Sequence, residues 1–288
     1  IPKLAFSNLT SLECLYLSDN LFHGKFPLPS FANQSKLKEL IISPNTQLGL
    51  ETNFQHTIPS FQLRLLALSK CNLRKNFLTD ATFLSSQHQL EVIDLSSNGL
   101  SGSLPPWFLR NYTRLAFASL RNNTLTGQIH LPTQPFSSVQ GIDLSENALV
   151  GFLPPDFGSI FPNLRYLNLS MNHLVGHMPP SFANLRQLRQ MDLSNNHFFG
   201  QIPPCPCIYL KLSNNNLQVG IPSTLPRISF LDGNNLTGTI PRNLSLNSEL
   251  NLLDVHDNQL SGNLPASTGD IPGLEVLILR GNHFYGHI

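Results

Sequence analysis

Paired histidines are the first residues of this sequence whose spacing could support chemistry. His173 and His177, like His283 and His287, have i, i+4 spacing, which on a helix would place two metal ligands on one face. Both pairs occupy variable positions of a recurring Asn-x-Leu-x-Gly-x string, which predicts a loop instead of a helix. We therefore expect solvated histidines and no metal site.

Cys205 and Cys207 form the second candidate, as a redox or metal-binding pair. Their single intervening residue, Pro206, would strain a disulfide between them, and no second cysteine pair completes a zinc site. We expect both to be buried or incidental cysteines.

Signatures of catalysis and of nucleic-acid binding are missing from the sequence. It contains no glycine-rich phosphate loop, Gly-x-Ser-x-Gly, His-Glu-x-x-His or kinase motif. Charged residues make up only 12% and the net charge is +1, which argues against a nucleic-acid partner. Neither a signal peptide nor a stretch of about eighteen apolar residues is present. The sequence predicts a protein that is not an enzyme and has no cofactor.

The string Leu-x-x-Leu-x-Leu-x-x-Asn-x-Leu-x-Gly recurs along the whole chain. An asparagine, or once a cysteine, follows the third leucine position of each repeat by three residues. These positions are Asn20, Asn45, Cys71, Asn98, Asn123, Asn147, Asn172, Asn196, Asn215, Asn234, Asn258 and Asn282. This pattern is typical of a leucine-rich repeat solenoid with about 12 repeats.

The repeat predicts an α/β solenoid. Alternating leucines turn inward from a short strand, and stacked strands make a right-handed superhelix with a concave parallel β-sheet. The asparagine amide is expected to satisfy backbone groups of adjacent coils, and Cys71 only more weakly. Recurring phenylalanines, such as Phe108, Phe157 and Phe182, are expected in the core near the convex side. We predict one domain over residues 1–288, irregular near 42–95, shortened near 193–231, and uncapped at both ends.

The shortened region leaves its strand register open. Repeat spacings fall to 19 residues around Leu212 and Leu231, and Ser229 falls where an inward leucine is expected. A register through Ile228 and Phe230 restores the apolar pattern but places Gly233 on the asparagine ladder. A bend, a damaged gene copy and a mis-assembled gene model all fit the missing residues.

Asn-x-Leu-x-Gly-x-Ile-Pro within a 24-residue period resembles the plant-specific extracellular class of leucine-rich repeats. Strings such as Leu68-Ser-Lys-Cys71-Asn72-Leu73 and Pro105-Pro106-Trp107-Phe108 are similar to plant cell-surface receptor-like proteins, including the Cf-type disease-resistance receptors. The resemblance implies an ectodomain at the extracellular face of the plasma membrane, a transmembrane helix outside this chain, and signalling through partner receptor kinases. Paired-cysteine caps usual in the family are missing, which predicts a fragment.

Seven Asn-x-Ser/Thr sequons accompany this repeat class and predict glycosylation in the secretory pathway. They lie at Asn8, Asn33, Asn111, Asn122, Asn168, Asn235 and Asn243.

Three aromatic residues occupy the same outward position of the predicted concave face: Phe117, Tyr166 and Tyr209. Gly141 and Gln190 hold this position between them. Exposed aromatics on a rigid sheet are typical interface anchors. We expect a ligand- or partner-binding site formed by these three aromatics together with four polar neighbours. Those neighbours are Arg121, Arg165, Asn195 and Lys211.

The sequence therefore favours a non-enzymatic recognition module of a plant receptor-like protein, acting in defence or developmental signalling. It would bind a protein or peptide ligand, or the ectodomain of a partner receptor kinase. Two alternatives stay open: the ectodomain of a leucine-rich repeat receptor kinase, and a secreted inhibitor of cell-wall-degrading enzymes.

Overall fold

A computed structural model describes residues 6, 8–45, 47–52, 54, 58–78, 82–106, 108 and 112–287. The chain forms two compact units. Unit 1 comprises Ile1–Pro132 and Ser138–Ala148, and unit 2 comprises Thr133–Ser137 and Leu149–Ile288. Each unit is a parallel β-solenoid, as the repeat predicts. The single domain over residues 1–288 stays a prediction.

The described residues of unit 1 form ten strands. They are β1 Cys14–Tyr16, β2 His23–Pro27, β3 Glu39–Ile41, β4 Gln47–Glu51, β5 Leu65–Ala67, β6 Val92–Asp94, β7 Ser101–Ser103, β8 Phe117–Ser119, β9 Thr124–Gly127 and β10 Gly141–Asp143. The main sheet of this unit has the parallel order β1-β3-β5-β6-β8-β10. Strand β2 pairs with β4, and β7 with β9.

Unit 2 contains the remaining strands. They are β11 Ala148–Phe152 (entered from the last residue of unit 1), β12 Tyr166–Asn168, β13 His173–Gly176, β14 Gln190–Asp192, β15 His197–Gly200, β16 Tyr209–Lys211, β17 Asn216–Leu217, β18 Ile228–Phe230, β19 Leu252–Asp254, β20 Ser261–Gly262, β21 Val276–Ile278 and β22 His283–Phe284. The main sheet of this unit has the parallel order β12-β14-β16-β18-β19-β21. A second sheet runs β11-β13-β15-β17, and β20 pairs with β22.

Single helical turns close several coils on the side away from the main sheet. The α-helical turns are α1 Thr82–Ser85 and α2 Phe157–Ile160, and the 3₁₀ turns are Leu28–Phe31, Pro180–Asn184, Arg242–Leu246 and Ala266–Asp270. The repeated phenylalanines are buried there: Phe157 and Phe182 of successive coils pack with ring centroids 5.7 Å apart. The predicted aromatic core is confirmed.

The asparagine ladder has the bonding that the repeat predicts. Asn196 donates from Nδ2 to the carbonyls of Leu169 in the preceding coil, at 3.0 Å, and of Leu193, at 3.1 Å. Its Oδ1 accepts from the backbone N–H of Leu174 at 3.0 Å. One buried amide thus satisfies three backbone groups of two coils, which would otherwise be buried unpaired.

Cys71 makes the weaker version of this contact. Its Sγ donates to the Ser69 carbonyl of its own coil at 3.3 Å. The side chain is 2% exposed, and burial raises the pKa of the thiol to about 11. The thiol therefore acts as a neutral core group.

The structure decides the register of the two shortened coils. Asn215 and Asn234 both lie on the ladder, and Ser229 is the inward residue of β18. Its hydroxyl is fully buried and donates to the Pro226 carbonyl at 3.1 Å. Between β15 and β18 no helical turn occurs. The shortened coils therefore lack residues of the outer segment and retain both the strand and the ladder asparagine.

Two expectations from the sequence are wrong. Cys207 is buried, as expected, but a disulfide joins it to Cys205, so the two cysteines are not incidental. His173 and His283 are the first residues of strands β13 and β22 and do not lie in loops. The reason is that backbone pairing between coils continues past the ladder asparagine. Both histidines are exposed, as expected.

Candidate functional site

The outward face of the main sheet of unit 2 carries the predicted contact residues. The first residue of each strand points outward, and its Cα partners follow from coil to coil as Tyr166, Gln190, Tyr209 and Ile228. The next residue of each strand is the inward, buried one. This alternation is the period-2 pattern of a strand, so the four first residues form one row, here called the first-position row.

The two tyrosines of this row are held in place by neighbours. Tyr209 packs against Phe230 of the next coil with ring centroids 5.7 Å apart. Burial, and to a lesser extent the negative charge of Asp192, raises the pKa of the Tyr209 hydroxyl. The Tyr166 hydroxyl accepts from Nδ2 of Asn168 at 3.3 Å. Both tyrosines are half-buried, so each presents an ordered and partly exposed side chain to a partner.

Asn195 and Lys211 lie on the same face of unit 2, as predicted. Asn195 is half-buried, with a left-handed φ of 54°, and its Oδ1 accepts from Nδ2 of Asn214 at 3.2 Å. Lys211 is the last residue of β16, between Asp192 and Phe230 in the register. Asn195 is thus hydrogen-bonded to the next coil, while Lys211 is half-buried as a whole residue.

Arg165 directly precedes β12 and is exposed. Two arginines that were not predicted from the sequence hold the equivalent position, Arg189 before β14 and Arg227 before β18, and both are exposed. Aligning the repeats on the residue before each strand would have found them. We call Arg165, Arg189 and Arg227 the basic margin.

The predicted contact residues of unit 1 are Phe117 and Arg121. Both side chains already contact residues of the next coil. The Phe117 ring covers Gly141, where an added Cβ would lie 2.4 Å from Cδ2 of the ring. Arg121 donates from Nε and Nη2 to Oε1 of Glu146 at 2.9 and 2.6 Å. The charge of Arg121 is therefore already compensated within unit 1.

The acidic residues that end several strands serve the backbone of their own coil. Oδ1 of Asp192 accepts from the backbone N–H of Ser194 at 2.9 Å and from its hydroxyl at 2.6 Å. Asp143 and Ser145 repeat this arrangement. These carboxylates stabilise the turn that follows each strand and are not free for a ligand.

These coils match two family models, both described as leucine-rich repeat, at residues 89–111 and 137–198. The chain is 36% identical over 273 residues to Cuscuta receptor 1 of Solanum lycopersicum, with 91% of this chain and 24% of the receptor covered. It is 38% identical over 175 residues to receptor-like protein 1 of Arabidopsis thaliana, with 61% and 16% covered.

The chain belongs to the plant leucine-rich repeat receptor-like proteins. It spans about a quarter or less of the length of these curated relatives. Among solved structures, it resembles the ectodomain of the membrane receptor kinase GASSHO1/SCHENGEN3 of Arabidopsis thaliana, crystallised with CASPARIAN STRIP INTEGRITY FACTOR 2. The TM-score is 0.84 at 29% identity, covering 98% of this chain and 34% of that one.

The predicted glycosylation sites of this receptor-like protein chain differ in accessibility. Asn8, Asn33, Asn122, Asn235 and Asn243 are exposed. Asn168 is half-buried, and its Oδ1 accepts from the Ser170 backbone N–H and hydroxyl at 3.0 and 2.7 Å. Asn111 lies outside the described residues. No helix in the described ranges has the length and apolarity needed to cross a bilayer.

One cluster of the receptor-like protein chain has the composition of a cation site. Nδ1 of His256 lies 2.6 Å from Oδ1 of Asp254, and its Nε2 lies 4.0 Å from Oδ2 of Asp232 and 3.6 Å from Oδ2 of Asp257. Asp232, Asp254 and His256 offer ligand atoms within 4.8 Å of one another. Nδ1 of His256 is already hydrogen-bonded to the Asp254 carboxylate, so the arrangement is a histidine–carboxylate cluster.

Proposed function

We propose that this chain is a non-enzymatic extracellular recognition module that binds a protein or peptide ligand, or the ectodomain of a partner receptor kinase. The binding surface is the outward face of the main sheet, and the role is defence or developmental signalling. The observation that carries the proposal is the first-position row of unit 2. There, half-buried Tyr166 and Tyr209 flank exposed Gln190 on a hydrogen-bonded sheet.

Rigid aromatic side chains suit this role on energetic grounds. A tyrosine supplies a large contact area and a polar hydroxyl while losing the freedom of only two side-chain torsions. Tyr209 is already ordered by Phe230 and Tyr166 by Asn168, so the entropy lost on binding is small. In unit 1, Phe117 is a proposed contact residue on the same reasoning. Arg121, whose side chain stays 54% exposed in its ion pair with Glu146, is a further proposed contact.

The GASSHO1/SCHENGEN3 likeness supports a second candidate, the ectodomain of a receptor kinase. Both candidates assign the same role to these coils and differ only in the rest of the protein. Sequencing the full transcript beyond residue 288 separates them. A transmembrane helix with a short tail supports the receptor-like protein, and a kinase domain supports the receptor kinase.

Replacing both Tyr166 and Tyr209 with alanine is expected to weaken partner binding by about thirtyfold or more, because a single hot-spot aromatic contributes about 2 kcal/mol or more and such contributions do not simply add. The probe is a display library of random linear peptides selected on the immobilised chain. Affinities of the selected peptides for the wild type and the variant give the measurement.

The matched control is Tyr285→Ala, because this tyrosine is 70% exposed and follows β22, outside the main sheet. It should leave the affinities unchanged. Selected peptides that bind the Tyr166/Tyr209 variant as tightly as the wild type would contradict the proposed surface.

Secretion should leave glycans on the exposed sequons. When the chain is produced through a plant secretory pathway, peptide mass spectrometry is expected to find glycans at Asn235 and Asn243, whose side chains are exposed. Substituting each asparagine by glutamine should remove the corresponding mass. Unmodified asparagine at all accessible sequons would contradict the predicted glycosylation sites.

A further inference from the structure

The residue before each strand of the main sheet is charged in most coils, and in unit 1 these charges neutralise one another. Nζ of Lys38 lies 2.7 Å from Oε2 of Glu13 in the preceding coil. Arg64 donates from Nε and Nη2 to the two carboxylate oxygens of Glu91, each at 3.0 Å. The bond to Arg64 lowers the pKa of the Glu91 carboxyl. Each base of this row in unit 1 thus has an acidic partner one coil away.

In the same row of unit 2, three bases have no acid in an adjacent coil. Its successive residues are Arg165, Arg189, Ile208, Arg227, the neutral Asn251 and Glu275, so the acid of this row lies two coils beyond Arg227. Within the described part of unit 2, none of the three arginines forms an ion pair. Arg227 donates from Nε to the amide oxygen of Asn251, which leaves its charge uncompensated.

The backbone fixes the spacing of the basic margin. The Arg189 N–H donates to the Arg165 carbonyl at 2.8 Å, the Ile208 N–H to the Arg189 carbonyl at 2.9 Å, and the Ile228 N–H to the Ile208 carbonyl at 3.0 Å. Coils joined in this way repeat at about 4.8 Å, so the Cα atoms from Arg165 to Arg227 span roughly 14 Å. Like charges this close repel one another, and an anionic partner removes that repulsion.

We infer that the basic margin binds the side-chain carboxylates of an acidic peptide segment that lies across strands β12, β14, β16 and β18. This inference rests on the proposed function, since the same peptide would contact the first-position row beside the margin. Arginine suits carboxylates because its planar guanidinium forms two parallel N–H···O bonds with them. Unit 1 shows this pairing between Arg64 and Glu91.

The geometry also specifies a pattern in the peptide. Side chains on one side of an extended peptide recur about every 6.6 Å, so about three of them face a margin of this length. Ile208, which is 50% exposed, separates Arg189 from Arg227. The expected segment therefore carries two acidic residues four positions apart, the first facing Arg165 and Arg189 together and the second facing Arg227. The residue midway between them faces Ile208 and is uncharged.

The test uses the random linear peptides selected on the wild-type chain for Tyr166/Tyr209-dependent binding. We expect these peptides to be enriched in pairs of aspartate or glutamate residues four positions apart. The double variant Arg165→Gln/Arg189→Gln should lose about tenfold in affinity for each arginine removed, the scale of a hydrogen bond to a charged group. Raising the salt concentration should weaken wild-type binding and have less effect on the variant.

Arg64→Gln is the matched control, because it removes an arginine from the same row where Glu91 already compensates it. It should bind the acidic peptides as the wild type does. A second variant, Arg189→Glu, should recover binding to peptides in which lysine replaces the facing acidic residue.

The outcomes separate the two proposals. Selected peptides that need Tyr166 and Tyr209 but show no acidic enrichment, and bind the double arginine variant unchanged, overturn the acidic-peptide inference and leave the proposed function standing. A selection that yields no peptide dependent on the two tyrosines contradicts the proposed function itself.

Discussion

Replacing Gly158 with alanine is expected to lower the free energy of unfolding by about 3 kcal/mol or more, the upper range for overpacking a closed core. Gly158 lies in α2, and its backbone N–H donates to the Ser181 hydroxyl at 2.9 Å. A Cβ at this position would lie 2.0 Å from the carbonyl oxygen of Ser181 and 2.6 Å from its carbon. These are backbone atoms, so no side-chain rotation relieves the clash.

The clash would be transmitted to the core. Ser181 belongs to the 3₁₀ turn Pro180–Asn184, and the neighbouring Phe182 packs against Phe157 beside Gly158. Separating the two turns would open the contact between these fully buried rings. Urea denaturation followed by circular dichroism measures the loss as a shift of the unfolding midpoint.

Gly269→Ala provides the matched control. This glycine also lies in the single turn of a coil, Ala266–Asp270, but no atom comes within 4 Å of a Cβ added there. Its alanine variant is expected to be unchanged or more stable by about 0.5 kcal/mol, because alanine restricts the unfolded chain. Equal midpoints for both variants would show that the close approach at Gly158 does not limit stability.

The fold of this chain could be predicted from its sequence because neighbouring coils repeat the same contacts. Each inward leucine and each ladder asparagine meets its counterpart one coil away, so periodicity alone reveals both. Gly158 was not predictable in this way. Its close approach depends on where the backbone of the next coil, at Ser181, turns. The Cys205–Cys207 disulfide depends likewise on the path of a segment outside the repeat pattern.

The candidate site was predictable to the extent that it follows strand alternation. Period 2 placed Tyr166 and Tyr209 on the outward face. Charge pairing could not be read from one repeat, because the partner of a base lies on the next coil. Arg121 is compensated by Glu146 in this way, whereas Arg165 has a further arginine, Arg189, at the equivalent position. The recognition surface thus depends on combinations of coils.

Replacing Asn215 with alanine is the second substitution with a large expected effect, a loss of about 3 kcal/mol in the free energy of unfolding. Its Nδ2 donates to the carbonyls of Leu193 and Leu212, each at 3.1 Å, and its Oδ1 accepts from the Phe198 N–H at 3.0 Å. The side chain is 6% exposed, so alanine would leave these groups without water to replace the amide. Each buried group left unpaired costs about 1–3 kcal/mol.

Asn215 also tests the shortened region, since its coil is one of the two with a 19-residue spacing. That coil has no helical turn between β15 and β16. The ladder hydrogen bonds therefore make up a larger share of its contacts with neighbouring coils. We therefore expect the cost at Asn215 to equal or exceed that of Asn196→Ala, whose coil is followed by the same shortened segment but preceded by the turn Pro180–Asn184. Urea denaturation of both variants gives the comparison.

The adjacent residue supplies the control for Asn215. Asn216 is exposed, and no described group forms a hydrogen bond with its side chain, so Asn216→Ala should change the free energy of unfolding by no more than about 0.5 kcal/mol. The two variants remove the same amide from neighbouring positions and differ only in burial and bonding. Should Asn215→Ala unfold at the same urea concentration as Asn216→Ala, the ladder would not be what holds the shortened coils in register.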